Sequence, residues 1–227
     1  MATFALIHGA GDVGWYWHLA ERALRERGHD AVAPDLPCDD DSAGLWDYAD
    51  TVADAVGDRR KLVVVAQSAG AFTAPLVCER VPVELLVLVA ALVPKPGEAP
   101  RDWWTNTGYE PLPGEWSGDV RAIFYHDVPA ELADEALRRT RAQSDTTAEA
   151  PWPLAAWPDV PTRFLLCRHD RLLPPDFLRR VVRERLGIEP DEIDAGHCVA
   201  LSRPRELAER LDSYVAALSV PSSSSTV

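Results

Sequence analysis

The stretch Val63-Val64-Val65-Ala66-Gln67-Ser68-Ala69-Gly70 constrains this chain more than any other. It opens as a run of β-branched apolar residues, the pattern of a strand buried on both faces. It stops on a serine flanked by small residues. The pattern then turns helical through Ala71, Phe72, Ala74, Leu76 and Val77. A strand, a sharp turn bearing a nucleophilic side chain and then a helix make the layout of a nucleophile elbow. Positions two before and two after such a serine crowd against neighbouring backbone and must be small. Here they are Ala66 and Gly70, so the string departs from G-x-S-x-G by one methyl group at Ala66. A serine that merely ends a strand before a helix is the alternative that the local string leaves open.

Around this stretch, strands alternate with helices. Thr3 to His8 reads as a buried strand ending in the loop His8-Gly9-Ala10-Gly11. A helix from Trp17 to Arg27 follows, with Leu19, Ala20, Ala23 and Leu24 at helical spacing. Further strands are expected at Ala31–Ala33, Lys61–Gln67, Leu85–Leu92, Thr162–Cys167 and Glu192–Asp194. Helices are expected at Leu45–Val56, from the elbow to near Pro82, at Asp176–Leu186 and at Pro204–Leu218. This alternation predicts a mostly parallel sheet of about six strands with helices on both faces. Functional groups then belong at the carboxyl ends of the strands.

The rhythm breaks between Lys95 and Pro161, where prolines and tryptophans dominate and one clear helix, Ala130–Gln143, stands out. We expect an insertion covering the carboxyl edge of the sheet. The organisation predicted is a core of residues 1–94 and 162–218, a cap at 95–161 and a disordered serine-rich tail at 219–227. Most of the inserted tryptophans would pack the cap itself. Trp103 and Trp104, with Trp15, are the candidates for facing a pocket, because ligand sites are mainly apolar and aromatic.

Composition removes several classes. The chain has 227 residues, enough for one α/β domain, and a net charge of −13, which argues against a nucleic-acid partner. The acidic run Asp39-Asp40-Asp41 lacks the glycine turns and alternating ligands of a metal loop, and reads as a solvated loop. The cysteines Cys38, Cys78, Cys167 and Cys198 form no C-x-x-C pair, so zinc and redox motifs are absent and no metal or cofactor is implied. No apolar run reaches the ~20 residues of a membrane span. The start, Met1-Ala2-Thr3-Phe4-Ala5, lacks a basic signal region. A cytoplasmic setting, no membrane association and a small-molecule partner are expected, with oligomeric state left open.

Three polar residues stand just past three different strands: Ser68, Asp170 and His197, in the order nucleophile, acid, histidine. A serine hydroxyl is a weak nucleophile until a base takes its proton, and histidine titrates where it can do so. A buried carboxylate fixes the imidazole tautomer and stabilises the imidazolium. A tetrahedral intermediate further needs backbone donors. The amide of Ala69, directly after the nucleophile, is one candidate, and Ala10, between Gly9 and Gly11, is the other.

The chain resembles the α/β-hydrolases across nearly its whole length, in particular the small cap-bearing branch of plant methylesterases and hydroxynitrile lyases and their bacterial relatives. The segments that carry the resemblance are His8-Gly9-Ala10-Gly11 with Trp15 and Trp17, and Gln67-Ser68-Ala69-Gly70. Further along come Cys167-Arg168-His169-Asp170 with Leu173-Pro174 and Phe177, then Ala195-Gly196-His197 before Leu201-Ser202-Arg203-Pro204. The resemblance implies an α/β-hydrolase fold, a Ser68–His197–Asp170 triad and oxyanion donors at Ala10 and Ala69. It implies a loop-organising role for His8, and Cys198 reads as packing.

The leading expectation is a serine hydrolase cleaving a carboxylic ester or lactone with an apolar or aromatic portion. A cyanohydrin lyase is the alternative in another class. Such lyases resemble a pattern with a catalytic lysine in the cap, and lysine occurs here only at Lys61 and Lys95. A non-catalytic ligand-binding protein on the same fold is the third reading. Epoxide hydrolase and haloalkane dehalogenase chemistry needs a carboxylate where Ser68 stands.

Overall fold

The structure, a computed structural model, describes residues 1–110 and 119–218. The serine-rich tail and Trp116 lie outside the described residues. Six strands form one sheet: β1 (Thr3–Ile7), β2 (Asp30–Val32), β3 (Leu62–Gln67), β4 (Val83–Val89), β5 (Thr162–Cys167) and β6 (Asp191–Ile193). Every neighbouring pair is parallel and the order is β2-β1-β3-β4-β5-β6. The chain therefore reverses direction across the sheet between β1 and β3. In open α/β sheets that reversal leaves a crevice at the strands' carboxyl ends, and the His8–Gly11 loop and Ser68 both open onto it.

Two-residue periodicity divides the strands between two cores. Ala5, Ile7, Val64, Ala66, Leu86 and Leu88 pack against α2 (Leu45–Val56), α3 (Ala74–Val77) and, later in the chain, a helix at Pro175–Leu186. Phe4, Leu6, Val63, Val65, Val87 and Val89 face the other way, against α1 (His18–Glu26) and a C-terminal helix at Pro204–Leu218. Continuous apolar runs were the sequence sign of this two-sided burial.

Residues 90–161 connect β4 to β5 and carry α4 (Trp103–Asn106), α5 (Val120–Phe124), α6 (Ala130–Arg139) and α7 (Asp145–Glu149). Beyond β5 come α8 (Pro175–Leu186), α9 (Val199–Ser202) and α10 (Pro204–Leu218). No helix of the described residues is long and apolar enough to cross a membrane.

Several boundaries differ from expectation. The helix after the elbow is not continuous. A 3₁₀ turn at Ser68–Phe72 precedes the single turn of α3, and Pro75, which lacks an N–H, sits in its first turn. The strand expected to reach Leu92 ends at Val89, where Ala90 adopts a φ of 44°. The inserted helix stops at Arg139 rather than Gln143, because Thr140 is extended with a ψ of 143°.

Gly70 shows why the elbow needs small residues. A Cβ there would lie 2.7 Å from the His8 carbonyl oxygen and 3.0 Å from Ile7 Cγ2. The backbone at the end of β1 and at His8 cannot yield as a flexible side chain can. Gly70→Ala is therefore expected to cost about 1–3 kcal/mol. In a thermal melt that corresponds to a Tm lower by roughly 3–10 °C.

Candidate active site

Ser68 follows β3 directly and holds a φ of 52°. For a residue with a Cβ this left-handed conformation costs on the order of 1–3 kcal/mol, and it persists only where surrounding structure enforces it. Enforcement is visible: the Ser68 carbonyl accepts a 3.0 Å bond from the Leu92 amide, beyond β4. The turn lifts the serine hydroxyl off the sheet and into a cavity of about 600 Å³, which Ala10, Ala69 and His197 also line.

His197 and Asp170 are both buried. His197 Nδ1 lies 2.7 Å from Asp170 Oδ2. The other carboxylate oxygen, Oδ1, accepts from the amides of Leu172 (2.8 Å) and Leu173 (3.0 Å). A carboxylate so held makes Nδ1 the protonated nitrogen and leaves Nε2 as a base. No hydrogen bond joins Ser68 to His197 among the described residues. Such bonds are often long in the substrate-free site and tighten only once substrate is bound.

The loops that carry Asp170 and His197 are pinned from the β4–β5 connection. His126 Nε2 donates to the carbonyl of His169 (2.9 Å), one residue before Asp170. Asp127 Oδ2 accepts from the amide of Gly196 (2.7 Å), one residue before His197. The Phe124 ring meets the His197 imidazole edge-on, with centroids 5.3 Å apart. These contacts fix the imidazole from outside the sheet.

The loop after β1 is braced as tightly. His8 Nδ1 donates to the Gly9 carbonyl (2.8 Å) and Nε2 accepts from the Leu36 amide (3.0 Å). Burial lowers its pKa to about 4, so it stays neutral and organises the loop. From the β4–β5 connection, the Arg141 amide donates to the Gly11 carbonyl (2.7 Å), and Gln143 Oε1 accepts from the Gly11 amide (3.1 Å). A Cβ on Gly9 would lie 2.6 Å from Gln67 Oε1 and 3.2 Å from Ser68 Cβ, so glycine lets this loop approach the elbow without displacing either side chain. Ala10 and Ala69 thus face one cavity, and neither amide donates to another group among the described residues.

Of the three tryptophans expected at a pocket, the structure brings one. Trp104 lines the cavity. Trp103 does not: it is wholly buried, its Nε1 donating to the Val93 carbonyl (2.9 Å). Trp15 does not either. Its ring stacks on His18 at 4.3 Å and lies under the Arg139 guanidinium at 4.8 Å, outside the cavity. Lys95 is exposed and lines neither this cavity nor its neighbour. Cys198 lines the cavity, but burial pushes its thiol well above the usual range and keeps it protonated.

Sequence reading missed Asp12. Its carboxyl lines the same cavity, and burial raises its pKa to about 6, partly opposed by the Val13 amide at 2.9 Å. Its place one residue beyond the Gly9–Gly11 loop was the available signal. A second cavity, of about 200 Å³, adjoins the first and shares Gly9, Ala10, Ala69, Leu92 and Trp104 with it.

A parallel sheet, a strained serine at the β1–β3 reversal and a histidine bonded to a buried carboxylate define an α/β-hydrolase. The alpha/beta hydrolase family profile matches residues 4–210, and the chain belongs to that family. Among curated relatives, esterase PIR7B of Oryza sativa subsp. japonica is 34% identical over 250 residues, covering 92% of this chain and 93% of the relative. Carbendazim hydrolyzing esterase of Nocardioides sp. (strain SG-4G) is 25% identical, covering 93% and 98%. Two solved structures share the fold. Polyneuridine aldehyde esterase has a TM-score of 0.78 at 20% identity, covering 94% of this chain and 99% of that one. A pyrethroid hydrolase from Sphingobium faniae JZ-2 has a TM-score of 0.79 at 21% identity, covering 95% and 98%.

Proposed function

We propose that this chain is a serine hydrolase that cleaves a carboxylic ester or lactone with an apolar or aromatic portion. Ser68 is the nucleophile, His197 the general base and Asp170 its orienting partner. The observation that carries this reading is the 2.7 Å His197–Asp170 bond, formed in the cavity wall onto which the strained Ser68 opens. The esterases among its relatives support the same bond class.

In the first half-reaction His197 Nε2 takes the hydroxyl proton as Ser68 Oγ adds to the ester carbonyl carbon. The carbonyl π pair moves onto oxygen, which the amides of Ala10 and Ala69 receive. Each such donor is worth ~10²–10³ in rate. Collapse breaks the bond to the leaving oxygen, and the proton on Nε2 passes to the departing alcohol. In the second half-reaction the same nitrogen takes a proton from water as its oxygen adds to the acyl carbon. Collapse breaks the bond to Ser68 Oγ, the proton on Nε2 returns to that oxygen, and the acid leaves. The β4–β5 connection serves as a cap, pinning the loops before Asp170, before His197 and around Ala10. Lys95 is too exposed to supply the cap lysine of a cyanohydrin lyase.

A fluorophosphonate probe tests the assignment. The expected result is one adduct, mapped by peptide mass spectrometry to Ser68. Folded protein that takes up no probe at Ser68 would instead support a ligand-binding role for the same cavity.

A further inference from the structure

The two adjoining cavities differ in what they touch. The larger contains Ser68 and His197, whereas the smaller contains neither. They meet along Gly9, Ala10, Ala69, Leu92 and Trp104, the edge that bears the two amides assigned to the oxyanion. An ester carbonyl held there has its oxygen at the amides and its carbon over Ser68 Oγ.

The tetrahedral carbon then has two further substituents, and their directions are not equivalent. The leaving oxygen must lie within hydrogen-bond reach of His197 Nε2, because that nitrogen returns the proton to it. The alcohol half is therefore drawn to the His197 side, which is the larger cavity. The acyl half points away from His197, across the shared edge. Among the described residues the smaller cavity is the space that opens there.

We propose that the smaller cavity is the acyl site and the larger one the alcohol site, so that the favoured substrate joins a compact, uncharged, apolar acid to a bulkier alcohol. This rests on the serine-hydrolase reading and adds a direction to it. The volumes set the sizes. At ~30 Å³ for a water-sized group, 200 Å³ takes about seven non-hydrogen atoms and 600 Å³ about twenty. An acyl group between butanoyl and octanoyl, or a benzoyl group, fills the smaller space.

The lining sets the polarity. Leu36, Leu45, Phe72 and Trp104 face the smaller cavity, together with Tyr48. The Tyr48 hydroxyl is already engaged by Gln143 Nε2 (3.2 Å) and Thr147 Oγ1 (3.3 Å). The two ionisable side chains with a fixed partner there are also spoken for. His8 has both ring nitrogens bonded, and Arg101 pairs with Glu149 at 2.6 Å. Among the described residues no unmatched charge remains there to receive an acyl carboxylate or ammonium.

The test uses the full chain and two ester series. In the first, p-nitrophenyl esters run from acetate to dodecanoate. In the second, the acid is held at acetate and the alcohol grows from ethyl to benzyl to naphthylmethyl. For the unaltered protein, kcat/KM is expected to peak between butanoate and octanoate and to fall at least tenfold by dodecanoate, while the acetate series rises to its largest member. Ala148→Trp, which narrows the smaller cavity, should lower the hexanoate-to-acetate ratio at least tenfold. It should move the naphthylmethyl-to-ethyl ratio less than twofold. Val120→Trp, at the half-exposed wall of the larger cavity, should do the reverse. Leu45→Phe replaces Ala148→Trp if that variant does not fold.

Reversed sensitivities, or an Ala148→Trp variant with untouched acyl selectivity, would overturn the assignment of the cavities while leaving the hydrolase reading intact. Failure of that reading looks different: no ester of either series is turned over and no probe adduct forms at Ser68.

Discussion

Ser68→Ala is expected to lower kcat on a p-nitrophenyl ester by about 10⁶-fold, the size of loss seen when a serine nucleophile is removed from a triad. The fall should appear in kcat, because the hydroxyl forms its bond on the way to the transition state and adds little to ground-state binding. Folding should survive. Alanine keeps the Cβ and the backbone, and the elbow is held by the Leu92–Ser68 bond and by the packing of Gly70 on β1. Its strained φ of 52° persists in the alanine variant. Ser68→Gly, by contrast, relieves that strain and is expected to raise stability by about 1 kcal/mol while remaining inactive. Activity assays and thermal melts on the two variants separate chemistry from fold. Near-normal turnover by Ser68→Ala would refute the nucleophile assignment.

Asp170→Asn is expected to reduce kcat by about 10⁴-fold with little change in KM. The carboxylate receives three hydrogen bonds: two from the amides of Leu172 and Leu173 at Oδ1, one from His197 at Oδ2. Asparagine retains one acceptor oxygen for the two amides, so the loop after β5 keeps its anchor. Its NH₂ then faces His197 Nδ1 and donates to it. The imidazole is driven to the tautomer with its proton on Nε2, which cannot accept from serine. The loss falls on the base rather than on the fold, so the melting curve should move far less than the rate. If the variant were benign, Asp12 would be the next carboxylate to test, since it lines the same cavity. Asp176 would not, because its side chain is 98% exposed and pairs with Arg179.

Much of this was legible in the residues. The valines of β3 and the small residues around Ser68 marked the elbow, and the strand ends at Gln67 as their pattern required. Amphipathic spacing located α1, α2 and α10 to within a residue or two. The failures share a cause. Trp103 and Trp104 are neighbours on one helical turn, yet one is sealed in the core against Val93 and the other lines both cavities. Composition gives both the same expectation, since a step of about 100° around a helix decides which way each faces. Trp15 was claimed by His18 and Arg139, contacts that no local pattern announces. Asp12 sits in the loop after β1, and only burial makes its carboxyl unusual.

What the sequence determined by itself was the order of strands and helices and the family, and it singled out the residues proposed here as nucleophile, acid and base. These follow from periodicity, from turn chemistry and from residue type, all of which act over a few neighbours. The tertiary structure decided which loops meet. The reversal of strand order between β1 and β3 sets Ala10 beside Ala69, and the return of the chain through β5 and β6 brings Asp170 to within 2.7 Å of His197, 27 residues away. The sizes of the two cavities, and the side of the serine on which each lies, belong to that level as well. They are the gaps left when distant segments pack, and no run of neighbouring residues encodes a gap.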